Sequence, residues 1–455
     1  MERYKSASNT ELTSRAKLFL SIYSAQGFHR TGTKVDLESG TWFQKQLQRN
    51  VNANSSNKVE IHTEEFRLNR VCEDYDDLSV IEIINATTNN NNKVVTSVNC
   101  EPYYGCGTYD KILNANIYSF DDYKDGKLKD NQIQRPAVAF LQDTHPSSKG
   151  GLINAGNPTM VGKIRKKFGD VFDGFIILLE LTEIKKSNKI ASINADPFDE
   201  PFGPLTLQVP PSSLSMFSNC IKSNIKMNLI PKITIDNNAT SFNVVASIQG
   251  SDSSLRPIVV MTPRSGWNAC CSERGPGMFV LNEIFRSICQ TQLKRTVLFT
   301  ASSGHELGHI GLDNYFERRE KINENFATDC FMWLHLGANF GATTKDDNPI
   351  TYQASDKELE NILMKSFLLY GDRPSRPLTK VGERPVGEAR NVYDRNGRFL
   401  SLVGFNPLFH HPDDVYPASV DIPLIVDICK SLTYVIYMLA ALDEDEWSDD
   451  MDSFL

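Results

Sequence analysis

The chain has 455 residues, 40% hydrophobic and 23% charged, with 27 Gly and 21 Pro. That is length enough for two or three domains, and the composition excludes collagen-like or broadly disordered chains. The 48 basic and 56 acidic residues give a net charge of −8, but seven acids fall in the last thirteen residues, so the body is near neutral and carries no basic block for nucleic acid.

No uncharged run reaches the roughly 20 apolar residues of a membrane span. The nearest, Ile422 to Leu442, contains Asp427 and Lys430 and reads as a core helix. Nine cysteines without regular spacing read as reduced thiols, and no leader pattern follows Met1. A cytoplasmic protein with no nucleic-acid or membrane partner is expected.

From the amino terminus, Leu12, Ala16, Phe19 and Tyr23, then Trp42, Phe43 and Leu47, recur at helical spacing on either side of a Gly27–Gly32 turn, predicting two helices. The Asn-rich runs 50–57 and 85–92 read as loops, and residues 443–455 as a solvated acidic tail. Between Cys72 and Cys220 short β-type runs such as Ala137–Leu141 and Phe175–Leu179 predict an inserted, mostly β domain. Beyond it strands are predicted at 234–248, 257–261, 296–301 and 331–336, with a helix over 278–289. This alternation implies a mostly parallel sheet covered on both faces, with chemistry at the strands' carboxyl ends.

Five of the eight histidines (His305, His309, His335, His410, His411) fall between positions 305 and 411, a clustering that raises the odds of a metal or acid/base site. The segment 303–312 contains His305-Glu306-x-x-His309. On a helix the two imidazoles share a face and can hold zinc while Glu306 activates its water, so an HExxH zinc metallopeptidase is one alternative. Here, however, the strand 296–301 leads through Ser-Ser-Gly straight into His305, and no third His follows at the extended spacing.

An opening helix before Gly27-Phe-His-Arg30-Thr-Gly32, the β-rich insert, Thr240-Ser-Phe-Asn-Val-Val-Ala246 and the strand 258–261 succeed one another. That order resembles the co-catalytic zinc aminopeptidases, a fold shared with glutaminyl cyclases and nicastrin. The resemblance spans most of residues 10–440. It implies an α/β class fold: a three-layer α/β/α domain with a mostly parallel mixed sheet, formed by residues 1–70 and 230–455. A protease-associated-like β domain at 71–229 interrupts it.

The resemblance also implies site roles. Thr262-Pro263-Arg264 stands where the family has His-x-Asp, so a first-zinc ligand is lost. Ser272, or with a one-residue slip Glu273, stands for the Asp that bridges the metals. His305 matches the general base and Glu306 a ligand, while His335 and His410 match the last two ligands. One zinc held by Glu306, His410 and either Glu273 or His335 would then serve a hydrolase acting on a small peptide or amide, resembling an aminopeptidase or carboxypeptidase. Arg264, Trp267, Arg274 and Asn339 would line a positively charged, aromatic mouth for a substrate carboxylate. The losses at Thr262 and Ser272 support a second alternative, a silent, nicastrin-like binding protein in which Glu306 pairs with Arg264 or Arg274. The insert reads as a lid or substrate-selecting module beside the cleft.

Overall fold

The structure, a computed structural model, describes residues 8–51, 58–73, 78–86, 92–143, 159–180, 187–195, 201–291, 293–345, 350–371 and 375–441. The acidic tail and the central parts of both Asn-rich runs lie outside these residues. Among the described residues sixteen strands occur in chain order: β1 Val59–Glu73, β2 Val80–Ala86, β3 Asn92–Asn99, β4 Glu101–Pro102, β5 Ile112–Ser119, β6 Ala137–Asp143, β7 Gly174–Leu179, β8 Leu205–Val209, β9 Lys226–Ile230, β10 Ile233–Ile248, β11 Ile258–Pro263, β12 Val297–Ser302, β13 Met332–Leu336, β14 Ile350–Ala354, β15 Ser375–Pro377 and β16 Phe399–Gly404.

They form two eight-stranded sheets. One has the order β1-β10-β12-β11-β13-β16-β14-β15, the other β3-β2-β9-β5-β6-β7-β8-β4. In the first, β12, β11, β13 and β16 run parallel, so their carboxyl ends face the same way. Both faces of this run are covered, and β11 and β13 are buried at every position, which is why they read as unbroken apolar stretches. Val260, Leu334 and Leu400 point into a core shared with the helices Asn9–Ala25, Gly275–Ile288, Lys357–Tyr370 and Ile422–Ala441. Val259, Trp333 and Phe399 point the other way, onto Leu312, Tyr315 and Phe316 of the helix Ile310–Glu320. These are the three layers expected. The last helix, Ile422–Ala441, is long and apolar enough by composition to cross a membrane, and 78% of its apolar window is buried inside the fold.

The local chemistry explains the opening. Ser8 caps the first helix through a reciprocal box with Glu11, and Leu12, Ala16, Phe19, Leu20 and Tyr23 form its buried stripe. Thr33 caps the helix Lys34–Asn50 by accepting from the Asp36 N–H at 3.2 Å. The insert is richer in helix than its sequence texture indicates. It carries Thr159–Phe168 and Leu214–Lys222, and β5-β6-β7-β8 is a parallel run with its own apolar core. The two sheets are joined by the long antiparallel ribbon of β1 and β10, paired from Val59↔Ile248 to Glu73↔Ile233.

Candidate functional site

The carboxyl ends of β11, β12 and β13 bring together Glu273, Arg274, Glu306 and, from the loop after β16, His410. Each is at most 2% exposed. Arg274 caps the helix Gly275–Ile288, which approaches so closely that a Cβ on Gly277 would lie 2.4 Å from Thr262 Oγ1. The Arg274 guanidinium stands between two carboxylates. Its Nη2 is 2.8 Å from Glu273 Oε1 and 2.8 Å from Glu306 Oε1, and its Nε donates to the Ser265 carbonyl at 2.8 Å. Glu306 Oε2 accepts from Ser265 Oγ at 2.9 Å. His410 donates from Nδ1 to the Ser192 carbonyl at 2.8 Å, which turns Nε2 toward Glu273 Oε1, 3.3 Å away. Burial works to raise the Glu273 carboxyl, but the charge of Arg274, followed by His410, outweighs it and holds the group down at about 2.

The one-residue ambiguity is resolved by Asp414. It accepts from Ser272 Oγ at 2.7 Å and from the amide N–H groups of Ser272 and Glu273 at 2.8 and 3.0 Å. Ser272 is thereby turned away, and Glu273 is the side chain in the site. Burial pushes the Asp414 carboxyl up to about 6. Thr262 Oγ1 donates to the Leu336 carbonyl at 2.8 Å, a structural role that leaves it no ligand function.

His335 lies at the end of β13 with Nδ1 2.9 Å from Ser401 Oγ. Burial, helped by the charge of Arg274, pulls its pKa down to about 3, so the ring is neutral. Its Nε2, the Arg274 Nη1, the Asn339 Nδ2 and the His410 Nε2 are buried without a hydrogen-bond partner. Asn339, in the left-handed region at φ 68°, is tied to Glu273 through its amide N–H at 3.1 Å.

The expected mouth is not formed. Arg264 is fully buried and faces the helix Lys34–Asn50, where Nη1 binds Asp36 Oδ1 at 2.7 Å and Nη2 the Phe242 carbonyl at 2.6 Å. Trp267 is 4% exposed, packs edge-on to Tyr104 and donates from Nε1 to Asn194 Oδ1 at 3.0 Å. Both are held inside by partners from other parts of the chain, so neither presents a surface to a ligand.

The His-Glu-x-x-His segment is not an α-helix. Residues His305–Leu307 form a single 3₁₀ turn between Gly304 and Gly308, and Gly304, Gly308 and His309 all take positive φ. His309 spends both ring nitrogens, Nδ1 on Asn391 Oδ1 at 2.7 Å and Nε2 on Arg390 at 3.4 Å, so the zincin alternative fails. His305, slightly exposed, pairs through Nδ1 with Glu388 Oε1 at 3.3 Å, and burial holds its pKa well below the ordinary histidine range. Glu388 had no motif to announce it. It is fully buried, accepts from Ser302 Oγ at 3.1 Å, and burial pushes its carboxyl up to about 8. At neutral pH it carries a proton that it can donate to His305.

These residues do not fit a zinc ion as they stand. The two carboxylates assigned to metal by the family resemblance hold Arg274 instead. Among the described residues no group of three His, Cys, Asp or Glu side chains is arranged to hold an ion.

No protein-family model matches the sequence, and no curated protein sequence does. Solved structures do match in fold. A zinc aminopeptidase from Bacillus subtilis has a TM-score of 0.71 over 96% of this chain and 97% of its own, at 12% identity. An aminopeptidase from Aneurinibacillus sp. strain AM-1 has a TM-score of 0.64 over 96% and 97%, also at 12% identity. A peptidase M28 precursor from Shewanella amazonensis has a TM-score of 0.64 over 96% of each chain, again at 12% identity. The chain therefore has the zinc-aminopeptidase fold along nearly its whole length, insert included.

Proposed function

We propose that this chain, built on the zinc-aminopeptidase fold, is a binding protein for a small peptide or amide that works without a resident metal. The observation that carries this reading is Arg274. A fixed guanidinium 2.8 Å from Glu273 and 2.8 Å from Glu306 supplies the positive charge between them, and a metal would have to displace it. The loss of a ligand at Thr262 supports the same reading. Eight of the nine cysteines are buried thiols, which supports a reducing, cytoplasmic setting.

A second reading, a peptidase-like hydrolase with one zinc, has one observation in its favour. His410 Nε2 and Glu273 Oε1 face each other at 3.3 Å, His410 Nε2 has no hydrogen-bond partner, and Glu273 Oε1 has only its ion pair with Arg274. On that reading Glu273 and His410 would hold the ion, Arg274 would have to turn aside, and zinc would supply a Lewis acid and an activated water.

One experiment separates the two. The purified chain is loaded with zinc, desalted, and analysed for metal and for hydrolysis of aminoacyl and blocked dipeptide amides. The binding reading expects well under one zinc per chain and no turnover. One equivalent of zinc that switches on hydrolysis would overturn it.

A further inference from the structure

The site is sealed by a piece of the insert. Residues Ala191, Ser192, Ile193, Asn194 and Ala195 have no regular secondary structure, yet each is at most 7% exposed. Their main chain is satisfied partly by the strand-end loops and partly by the insert, where the Ile193 N–H donates to Gln208 Oε1 at 3.0 Å. The amide N–H of Ala195 donates to the Glu306 carbonyl at 3.0 Å and that of Ser192 to the His410 carbonyl at 3.3 Å. The Ser192 carbonyl in turn accepts from His410 Nδ1 at 2.8 Å. The Asn194 carbonyl accepts from Tyr103 at 3.0 Å, and its side-chain oxygen accepts from Trp267 Nε1 at 3.0 Å. Upstream, Ser187 Oγ lies 3.0 Å from His411 Nε2.

We infer that Ala191–Ala195 is a built-in occupant of the cleft, and that the external ligand is an extended polypeptide segment that replaces it. This rests on the binding-protein reading and names its ligand class. Most of the hydrogen bonds of this segment use its main chain, which every peptide possesses, while Asn194 Oδ1 on Trp267 and Ser192 Oγ on Glu101, at 3.0 and 3.1 Å, read side chains. Recognition through main-chain N–H and C=O groups suits an extended peptide of varied sequence. Tethering places the segment at an effective concentration of the order of millimolar, so an external peptide present at micromolar concentration does not displace it. The insert thereby controls access to the site.

The test uses the full chain and a fluorescein-labelled peptide with the sequence of residues 187–195, followed by fluorescence anisotropy. In one variant residues 191–195 are replaced by Gly-Ser-Gly-Ser-Gly. A second variant combines Asn194→Ala with Ser187→Ala and removes two side-chain ties only. Folding of each is checked by a cooperative thermal transition. The five-residue replacement is expected to bind the peptide at least about tenfold more tightly than the parent, and the double variant about threefold. If the replacement does not fold, the double variant decides. A folded variant that binds no more tightly than the parent overturns the inference. Failure of the binding-protein reading is seen separately, as zinc stoichiometry and turnover in the parent without peptide.

Discussion

Two buried arginines, Arg264 and Arg274, lie at the two ends of the loop that follows β11 and do different things. Arg264 meets Asp36 in a network that bonds both its Nη groups and leaves its Nε without a hydrogen-bond partner. The carboxylate also accepts from Ser241 Oγ at 2.6 Å, Ser303 Oγ at 2.9 Å and the Gly32 amide at 2.9 Å, so both its oxygens are fully used. Arg274 meets two carboxylates, and around it Arg274 Nη1, His335 Nε2, Asn339 Nδ2 and His410 Nε2 go unsatisfied. A buried ion pair with its carboxylate fully bonded holds a fold together. An unsatisfied one leaves hydrogen-bonding capacity for something else, and this difference separates scaffold from site better than the type of residue does.

The comparison can be broken most forcefully at Arg264. Arg264→Ala leaves Asp36 buried and unpaired, an expected cost of about 3–5 kcal/mol in urea unfolding. Added zinc should not recover it. Arg274→Ala should cost a similar amount, because Glu273 and Glu306 then repel one another. In this variant, however, the carboxylates and His410 are released to a cation. Zinc at a hundredfold excess over its Kd should restore about 2.7 kcal/mol, read as a rise in Tm. Equal zinc responses from the two variants would show that the two arginines do not differ in this way.

A smaller effect is expected beneath Arg264. A Cβ on Gly40 would lie 2.6 Å from the Phe242 ring and 2.8 Å from the Arg264 Cζ. Gly40→Ala should therefore cost about 1–3 kcal/mol by overpacking, with zinc binding unchanged.

The smallest effect is a matter of pH. Glu388 has its carboxyl raised from 4.5 to about 8 by burial, so the folded chain holds a proton that the unfolded chain releases. Its contribution to stability is complete below about pH 4.5 and is lost as pH rises through about 8. Glu388→Gln, which keeps the shape and cannot ionise, should flatten this decline. Thermal melts at pH 5 and pH 8.5 should show the variant gaining on the parent at the higher pH, and a constant gap would refute the assignment.

Much of the scaffold was legible in the residues. The apolar runs of β11 and β13 and the stripe of the first helix are periodicities that burial on two faces or on one enforces directly. β1 was equally readable, since Val59, Ile61, Thr63 and later Phe66 and Leu68 alternate with polar residues, but no strand was predicted there. Glu388 could not be found in this way. A lone Glu in a loop gives no sign that folding will bury it against Ser302.

The layered α/β architecture and the gathering of five histidines between positions 305 and 411 are already written in the residues. Both follow from local pattern and chain order. Which charges meet is fixed by packing. Arg264 reaches Asp36 across 228 positions and Arg274 reaches Glu306 across 32, while Asp414 chooses between Ser272 and Glu273 from 142 and 141 positions away. Ion pairs and hydrogen bonds act over a few ångströms between side chains placed there by separate elements. Their partners are therefore set by packing geometry, which no spacing along the chain encodes.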